Sequence, residues 1–457
     1  MKVIVIGGGA AGMMAAIAAA QTGAHVTLLE RNEKLGKKIY ITGKGRCNYT
    51  NGADTETSLA QVMRNRKFLY SAFYGYTPED VTGLLEANGC PTKEERGQRR
   101  FPVSDHASDV TRALELAMKH AGVRVHLKTR VTGLIVKEGA VCGVRCVQDD
   151  SVRDISGDWE HSFAHATPVT EIDADAVILA TGGLSYPTTG STGDGYVLAQ
   201  KAGHTVTPLR PSLVGFVTKE DFCRELAGLA PRNVRVRIRA GESAVTGKVL
   251  WEDFGELLFT HRGVSGPLML TASAILGDRL KDGPLTMTID WKPALTDEQL
   301  DARLLREIEA APAKNLHNLI RSLLPASAGD VLLRAAGLSP EKKAAELTRA
   351  ERTAIVRTLR AFPVTLTALG GFSEAVITCG GVNVKEVDSS TMESKLVRGL
   401  FFAGEILDVD ALTGGFNLQI AWSTGHLAGI SAAGASGGRR LSAHSAPSMT
   451  LHTSLFL

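Results

Sequence analysis

The chain opens on an uninterrupted apolar run, Lys2-Val3-Ile4-Val5-Ile6, without the polar alternation of a half-exposed strand, and this predicts a buried parallel strand. Gly7, Gly9 and Gly12 follow as G-x-G-x-x-G. Met13 to Gln21, rich in Ala and free of Gly and Pro, then predicts a helix. A second apolar run, His25 to Leu29, ends in Glu30. From 56 to 120 the apolar positions recur at helical spacing and predict helices near Ser58–Phe73, Pro78–Asn88 and Ala107–His120, with Ser104 or Asp105 as cap for the last. Arg96 to Pro102 between them reads as an extended, hairpin-type segment. Three β runs come next, Val123–Leu127, Val131–Lys137 and Val141–Val147, with Glu138-Gly139 turning between the last two.

Beyond a polar stretch at 150–171, Asp175 to Ala180 is again a buried strand, stopping at Thr181, Gly182 and Gly183. From Val206 the pattern changes to short strands (Val234–Ile238, Lys248–Trp251, Glu256–Phe259, Leu285–Asp290), which predict an antiparallel sheet or small barrel. Residues 297–360 read as helices, and strand character returns at Val364–Leu366 and Glu374–Thr378. A second strand–glycine–acid unit, Gly399 to Asp408, leads through Thr413-Gly414-Gly415-Phe416-Asn417 into a helix from Leu418 to about Ala433. The Ser-, Gly- and Arg-rich tail from Gly434 is expected to be disordered.

The first unit has a chemical reading. Gly7 permits a tight turn out of the strand, Gly9 lets a pyrophosphate approach the backbone, and Gly12 lets the helix pack close to the sheet. The helix N-terminus offers unpaired N–H groups and a partial positive charge to phosphate. Glu30 stands where an acid accepts hydrogen bonds from ribose hydroxyls, which disfavours the 2′-phosphate of NADP and leaves FAD or NAD.

Composition narrows the picture. A chain of 457 residues with 44% apolar content supports about two or three domains. A net charge of +3, with no long basic block, is no nucleic-acid footprint. The six cysteines are scattered and suggest neither a disulfide framework nor a zinc site; His161 and His165, four apart but without helical context, are not expected to form a metal site. No apolar run reaches transmembrane length, and the first strand begins too early for a signal peptide, so a cytoplasmic protein is expected.

Several glycine-rich strand ends scattered along the chain suggest one site assembled from distant segments, which suits a ligand with a pyrophosphate and an extended ring system. No second G-x-G-x-x-G marks a separate NAD(P)H domain. Five motifs then carry a resemblance: Gly7–Gly12; the loop from Lys37-Lys38 to Gly45-Arg46-Cys47-Asn48; T-G-G-L-S-Y-P-T-T-G-S-T-G-D-G from Thr181; F-T-H-R-G-V-S-G-P from Phe259; and F-A-G-E-I-L-D-V-D-A-L-T-G-G-F-N from Phe402. Together they resemble the two-domain FAD flavoproteins that include BaiN-type bile-acid reductases, YhiN-type proteins and aminoacetone oxidase. The chain departs from them at Lys44, where relatives often have Gly, and in the long polar stretch at 150–171.

The resemblance implies an α/β fold with a Rossmann-like, glutathione-reductase-type FAD-binding domain split in sequence (1–205 and 364–433). An inserted β-barrel and helical module (206–363) would cover the flavin, and a tail (434–457) would follow. It implies that Gly7, Gly9, Ala10, Ala11 and Gly12 cradle the pyrophosphate, Glu30 and Arg31 the adenosine, and Val131 the adenine. Lys38, Gly45, Arg46, Cys47, Thr181, Gly182, Gly183, Gly404, Glu405 and Asp408 would line the rest of the cofactor, with Gly415, Phe416, Asn417 and Leu418 at the flavin pyrimidine edge. Arg46 and Asn48 are expected to hold a substrate carbonyl or carboxylate, and Tyr186 or His261 to donate a proton. The expected activity is NADH- or NADPH-dependent reduction of an activated C=C in a steroid-like or other enone small molecule. An amine oxidase using O2 and a flavoprotein with a sensing or docking role are the alternatives.

Overall fold

The structure is a computed structural model, and it describes residues 1–148, 169–241 and 247–434. His161, His165 and the tail from 435 therefore lie outside the described residues.

Five parallel strands form the central sheet: β1 (Lys2–Ile6), followed by helix α1 (Ala10–Gln21), then β2 (His25–Leu29), β3 (Arg124–His126), β4 (Ala176–Leu179) and β5 (Leu400–Phe402). Their order across the sheet is β5-β4-β1-β2-β3. Helix α2 (Phe416–Gly434) closes the unit. The strand order reverses direction between β1 and β4, and open α/β sheets bind ligands outside the strand ends at such a switch. Gly7 and Ala180, the residues that leave β1 and β4, meet there.

α1 is buried on nearly every side, from Ala11 to Ala19, because the sheet covers one face and α2 the other. The second contact depends on missing side chains. A Cβ on Gly425 would stand 2.5 Å from the Ala11 carbonyl oxygen, and one on Gly429 would overlap that of Ala15. The sequence-distant ends of this unit thus pack backbone to backbone. Across from them, Trp422 Nε1 donates to Tyr49 O at 2.8 Å and Gln419 Nε2 to Tyr76 O at 3.0 Å, tying α2 to the 49–76 segment.

A second hydrophobic core draws on residues from Phe216 to Leu366. Its seven antiparallel strands run in the order 249–255, 234–240, 285–290, 362–369, 216–218, 263–265, 258–260. Among the described residues no ladder pairs the two end strands, which follow one another in the chain through residues 256–257. Helices Asp297–Ala310, Ala326–Ala335 and Arg349–Arg360 contribute to the same core.

Two local expectations are corrected. The helix expected over Ser58–Phe73 is two helices, Thr55–Ala60 and Tyr70–Gly75. Val62 bridges to Ala411 between them, and Asn65 takes φ +53 while its Nδ2 donates to Asp408 O at 2.6 Å. The helix at Ala107–His120 begins after His106 with no side-chain cap; Asp105 instead accepts hydrogen bonds from Arg46 and Lys93.

Candidate active site

One cavity of about 830 Å³ opens at the switch point and runs from the β1–α1 turn to the start of α2. It lies within the size range of cofactor sites. At one end, Gly7 takes φ +101, and a Cβ there would stand 2.5 Å from Ala180 O. Gly9 faces open space, with nothing within 4 Å of where its Cβ would be. A Cβ on Gly12 would overlap the Gly7 carbonyl oxygen, so α1 can start this close to the strand only with glycine. The first bond inside α1 runs from Met13 N to Gly9 O, which leaves the N–H groups of residues 10–12 without intrahelical partners.

Glu30 is buried, and its carboxylate fixes the turn. Oε2 accepts from Gly8 N at 2.6 Å, while Oε1 accepts from Asn32 N and Asn32 Nδ2, each at 2.7 Å. A carboxylate has roughly four lone-pair sites. Three are used here, and the remaining one, on Oε2, can still take a ribose hydroxyl. Arg31 and Arg130 both pair with Asp194, at 3.0 and 3.1 Å, and Val131 lines the same end.

At the other end, the first bond inside α2 runs from Gln419 N to Gly415 O. Asn417 holds the preceding loop, accepting from Ala411 N at 2.9 Å and donating to Ala411 O at 2.7 Å. A second helix N-terminus thus points its partial positive charge into the cavity. Between the two ends Thr181 Oγ1 is buried without a partner and belongs to a cavity-lining residue. Two helix termini, a glycine cradle, an acid with spare acceptor capacity and an orphaned hydroxyl fit a dinucleotide carrying a ring system.

Not every expected residue reaches this cavity. Gly7, Gly9, Ala10, Ala11, Glu30, Arg31, Lys38, Arg46, Asn48, Val131, Thr181, Gly182, Tyr186, Glu405, Gly415, Asn417 and Leu418 line it. Gly12, Gly45, Cys47, Gly183, Gly404, Asp408 and Phe416 do not line it. The Cys47 thiol is wholly buried, and desolvation pushes it up to about 12, so it is no thiolate. Asp408 pairs with Arg64 at 3.0 Å. His261 lies apart, in a small surface pocket with Glu220, Asp221 and Arg262.

The candidate catalytic groups differ in what they have free. Arg46 is bound to Glu95 and Asp105 and lies over the Phe101 ring at 4.3 Å. Asn48 spends its amide nitrogen on Thr50 O and Arg100 O, at 2.8 and 3.1 Å. Tyr186 is held at φ +51, an unusual backbone for a bulky residue, and its hydroxyl has no hydrogen-bond partner among the described residues. A network that sequence reasoning missed holds this segment. Lys38 Nζ donates to Ser185 Oγ and pairs with Glu405 Oε2, both at 2.6 Å, and Glu405 Oε1 accepts from Thr378 N at 2.9 Å. Thr378 carries no motif, and only the fold brings it here.

A doubly anchored dinucleotide cavity on a parallel sheet, roofed by a second body, is that of an FAD-dependent oxidoreductase. The chain belongs to the HI0933-like family: the model of the HI0933-like protein Rossmann domain matches residues 1–152 and 134–431. It is similar to a 3-dehydro-bile acid delta(4,6)-reductase of Clostridium scindens, with 33% identity over 94% of this chain and 99% of the relative. It is also similar to a ribosomal RNA dihydrouridine synthase of Escherichia coli, with 30% identity over 92% and 95%. In fold it matches the open conformation of a flavocytochrome c3 fumarate reductase (TM-score 0.50, 16% identity, 95% of this chain and 78% of that one). A 3-ketosteroid delta1-dehydrogenase from Sterolibacterium denitrificans matches likewise (TM-score 0.50, 15% identity, 94% and 99%). No helix among the described residues is long and apolar enough to cross a membrane.

Proposed function

We propose that this oxidoreductase reduces a C=C conjugated with a carbonyl in a largely apolar small molecule, a steroid-like enone being the model substrate, with NADH or NADPH as reductant. The observation that carries this reading is the cavity wall beyond the start of α2. Leu213, Pro267, Leu270, Val376, Ile377 and Leu412 line it, drawn from both bodies of the protein. An apolar ring system is desolvated there at a gain of about 25 cal/mol per Å². The printed names of two relatives support the chemistry, since a bile-acid 4-ene-3-one and the 5,6 bond of uridine are both C=C bonds conjugated with a carbonyl.

Bound FAD would supply a two-electron carrier at N5. The chain's part is then positioning and proton supply. The N–H groups at the start of α2 would favour negative charge on the adjoining ring edge. Tyr186 would donate the proton to the α carbon as hydride reaches the β carbon, because it alone of the four candidates lines the cavity, has no hydrogen-bond partner among the described residues and is not a permanently charged or amide group. Arg46, tied to Glu95 and Asp105, and Asn48, tied to Thr50 O and Arg100 O, would shape the 43–48 loop.

The test is an anaerobic visible spectrum of the FAD-loaded protein. Bleaching by NADH or NADPH within seconds, followed by reoxidation with a 3-oxo-4-ene steroid, is the expected result. Reoxidation by a uridine-containing RNA alone would move the substrate to RNA, the reading favoured by the dihydrouridine synthase relatives. Bleaching by an amine with release of peroxide would turn the enzyme into an oxidase, and no bleaching by any of these would leave a docking role.

A further inference from the structure

A left-handed residue with a bulky side chain persists only where its surroundings over-determine it, because the conformation is disfavoured by about a factor of ten. Tyr186, with φ +51 and ψ +64, is held in this way from both sides. Its N–H donates to Phe372 O at 3.0 Å, and its carbonyl accepts from Thr189 N at 2.9 Å and Thr189 Oγ1 at 2.7 Å. The two residues before it are fixed by one hydroxyl: Leu184 N and Ser185 N donate to Thr378 Oγ1 at 2.8 and 3.1 Å. The tyrosine's backbone is thus fully bonded.

The buried Ser185 carries this hold to an ion pair. Its Oγ accepts from Lys38 Nζ at 2.6 Å and donates to Glu405 Oε1 at 2.5 Å, while Lys38 and Glu405 Oε2 pair at 2.6 Å. Thr378 N also donates to Glu405 Oε1, at 2.9 Å. With side chains 23% and 12% exposed, the pair is screened less than a surface bridge. The closure needs a glycine: a Cβ on Gly183 would stand 2.5 Å from Thr378 Oγ1 and 3.0 Å from Glu405 Oε1. Four segments distant in sequence meet here, since Lys38 follows β2, Ser185 follows β4, Glu405 follows β5 and Thr378 lies on the strand Ile377–Cys379. Val376 and Ile377, beside Thr378, belong to the apolar wall.

We infer that Lys38 and Glu405 are positioning residues that act through Ser185: their ion pair fixes the 183–186 segment and holds Tyr186 in the left-handed conformation from which it donates its proton. This rests on the enone reading of the cavity and on Tyr186 as the donor. Neither member of the pair carries the proton to the substrate. With the pair broken, Ser185 loses a charged partner on one side and the segment relaxes towards ordinary backbone. The segment 372–378 serves both ends of the reaction, since it bonds Tyr186 and Ser185 and carries two residues of the wall. An apolar body seated on Val376 and Ile377 is thereby registered against the donor.

Two variants test this. Glu405→Gln breaks the pair, and Ser185→Ala leaves both charges in place while cutting their link to the loop, so it carries the test if the first fails to fold. Each is studied at saturating FAD, alone and combined with Tyr186→Phe. Hydrogen exchange of the amides of residues 184–186 is expected to quicken about tenfold in each variant, with that of Val3–Ile6 in β1 unchanged. In stopped flow, reoxidation of the reduced flavin by a 3-oxo-4-ene steroid is expected to slow about tenfold while its reduction by NADH or NADPH keeps its rate. Lys38→Arg keeps the charge and is expected to retain most of the reoxidation rate. In the Tyr186→Phe background neither variant is expected to slow reoxidation further, the non-additivity of groups that act as a unit. Exchange that stays slow in both variants overturns the inference, as does a slowing that adds to that of Tyr186→Phe. So does a Ser185→Ala protein that behaves as the unaltered one, or a Tyr186→Phe protein reoxidised at the full rate. Quickened exchange in a protein whose unaltered form never reduces the steroid defeats the enone reading and leaves the hold on Tyr186 standing.

Discussion

Asp410 is fully buried in the loop that leads to α2, and its carboxyl is pushed up to about 6 from 3.8. Desolvation is the main cause. Arg210, the hydrogen bond from Ser212 Oγ at 3.3 Å and Arg64 act against it, and Asp408 acts with it. Its Oδ1 has no hydrogen-bond partner. Between those two pH values the native state binds more protons than the unfolded chain, so this residue's contribution falls as pH rises from about 4 to about 6 and stays low above. At 1.36 kcal/mol per decade of proton affinity, the displacement amounts to about 3 kcal/mol. Asp410→Asn removes the titration and keeps the shape. Urea unfolding at saturating FAD, across that pH range, is the assay. The stability of Asp410→Asn relative to the unaltered protein is expected to improve by about 2 kcal/mol between about pH 4 and pH 7, whatever its value at either end. A difference that stays constant with pH, or moves the other way, would refute the burial argument, because packing effects of the amide do not vary with proton concentration.

Other outcomes follow from the same geometry. Gly12→Ala places a methyl group on the Gly7 carbonyl, and the protein should purify without its yellow colour and bind added FAD at least about tenfold more weakly. Gly425→Val should destabilise the protein by about 3 kcal/mol in denaturant melts, since the Ala11 backbone cannot retreat. Tyr186→Phe should lower kcat by about a hundredfold while flavin reduction by the nicotinamide keeps its rate, the mark of a lost proton donor. His261→Ala should leave kcat within about twofold, because a general acid must reach its substrate and this one lies in another pocket.

The first thirty residues were legible because every level agreed: an apolar strand, three glycines, a helix without breakers and a terminal acid, all local. The helix at Phe416 was legible for the same reason. The break in the expected Ser58–Phe73 helix was not, because Val62 and Asn65 answer to residues 408–411 across the fold rather than to their neighbours. His261 misled through its glycine-rich, polar surroundings, which turn out to be the tight turn between the strands Leu258–Thr260 and Gly263–Ser265. The state of Arg46 was equally hidden, since whether a guanidinium is free depends on acids far along the chain. Lys44 stood out in sequence only as a departure, and the left-handed backbone it occupies is visible only in three dimensions.

The contact of Gly425 and Gly429 with α1 has a consequence for how the protein is made. At about 5–20 residues per second, a ribosome releases α2 tens of seconds after α1. Throughout that interval β1, α1 and β2 exist without the helix that covers them, and for most of it β5 has not yet been synthesised. The cofactor cradle at Gly7–Gly12 is present early, but the cavity lacks its second helix terminus. Flavin capture should therefore be a late event, coupled to completion of the chain, and nascent chains should depend on chaperones or flanking structure to keep α1 covered. A ribosome-bound chain stalled before residue 416 should show no flavin retention where the released protein does.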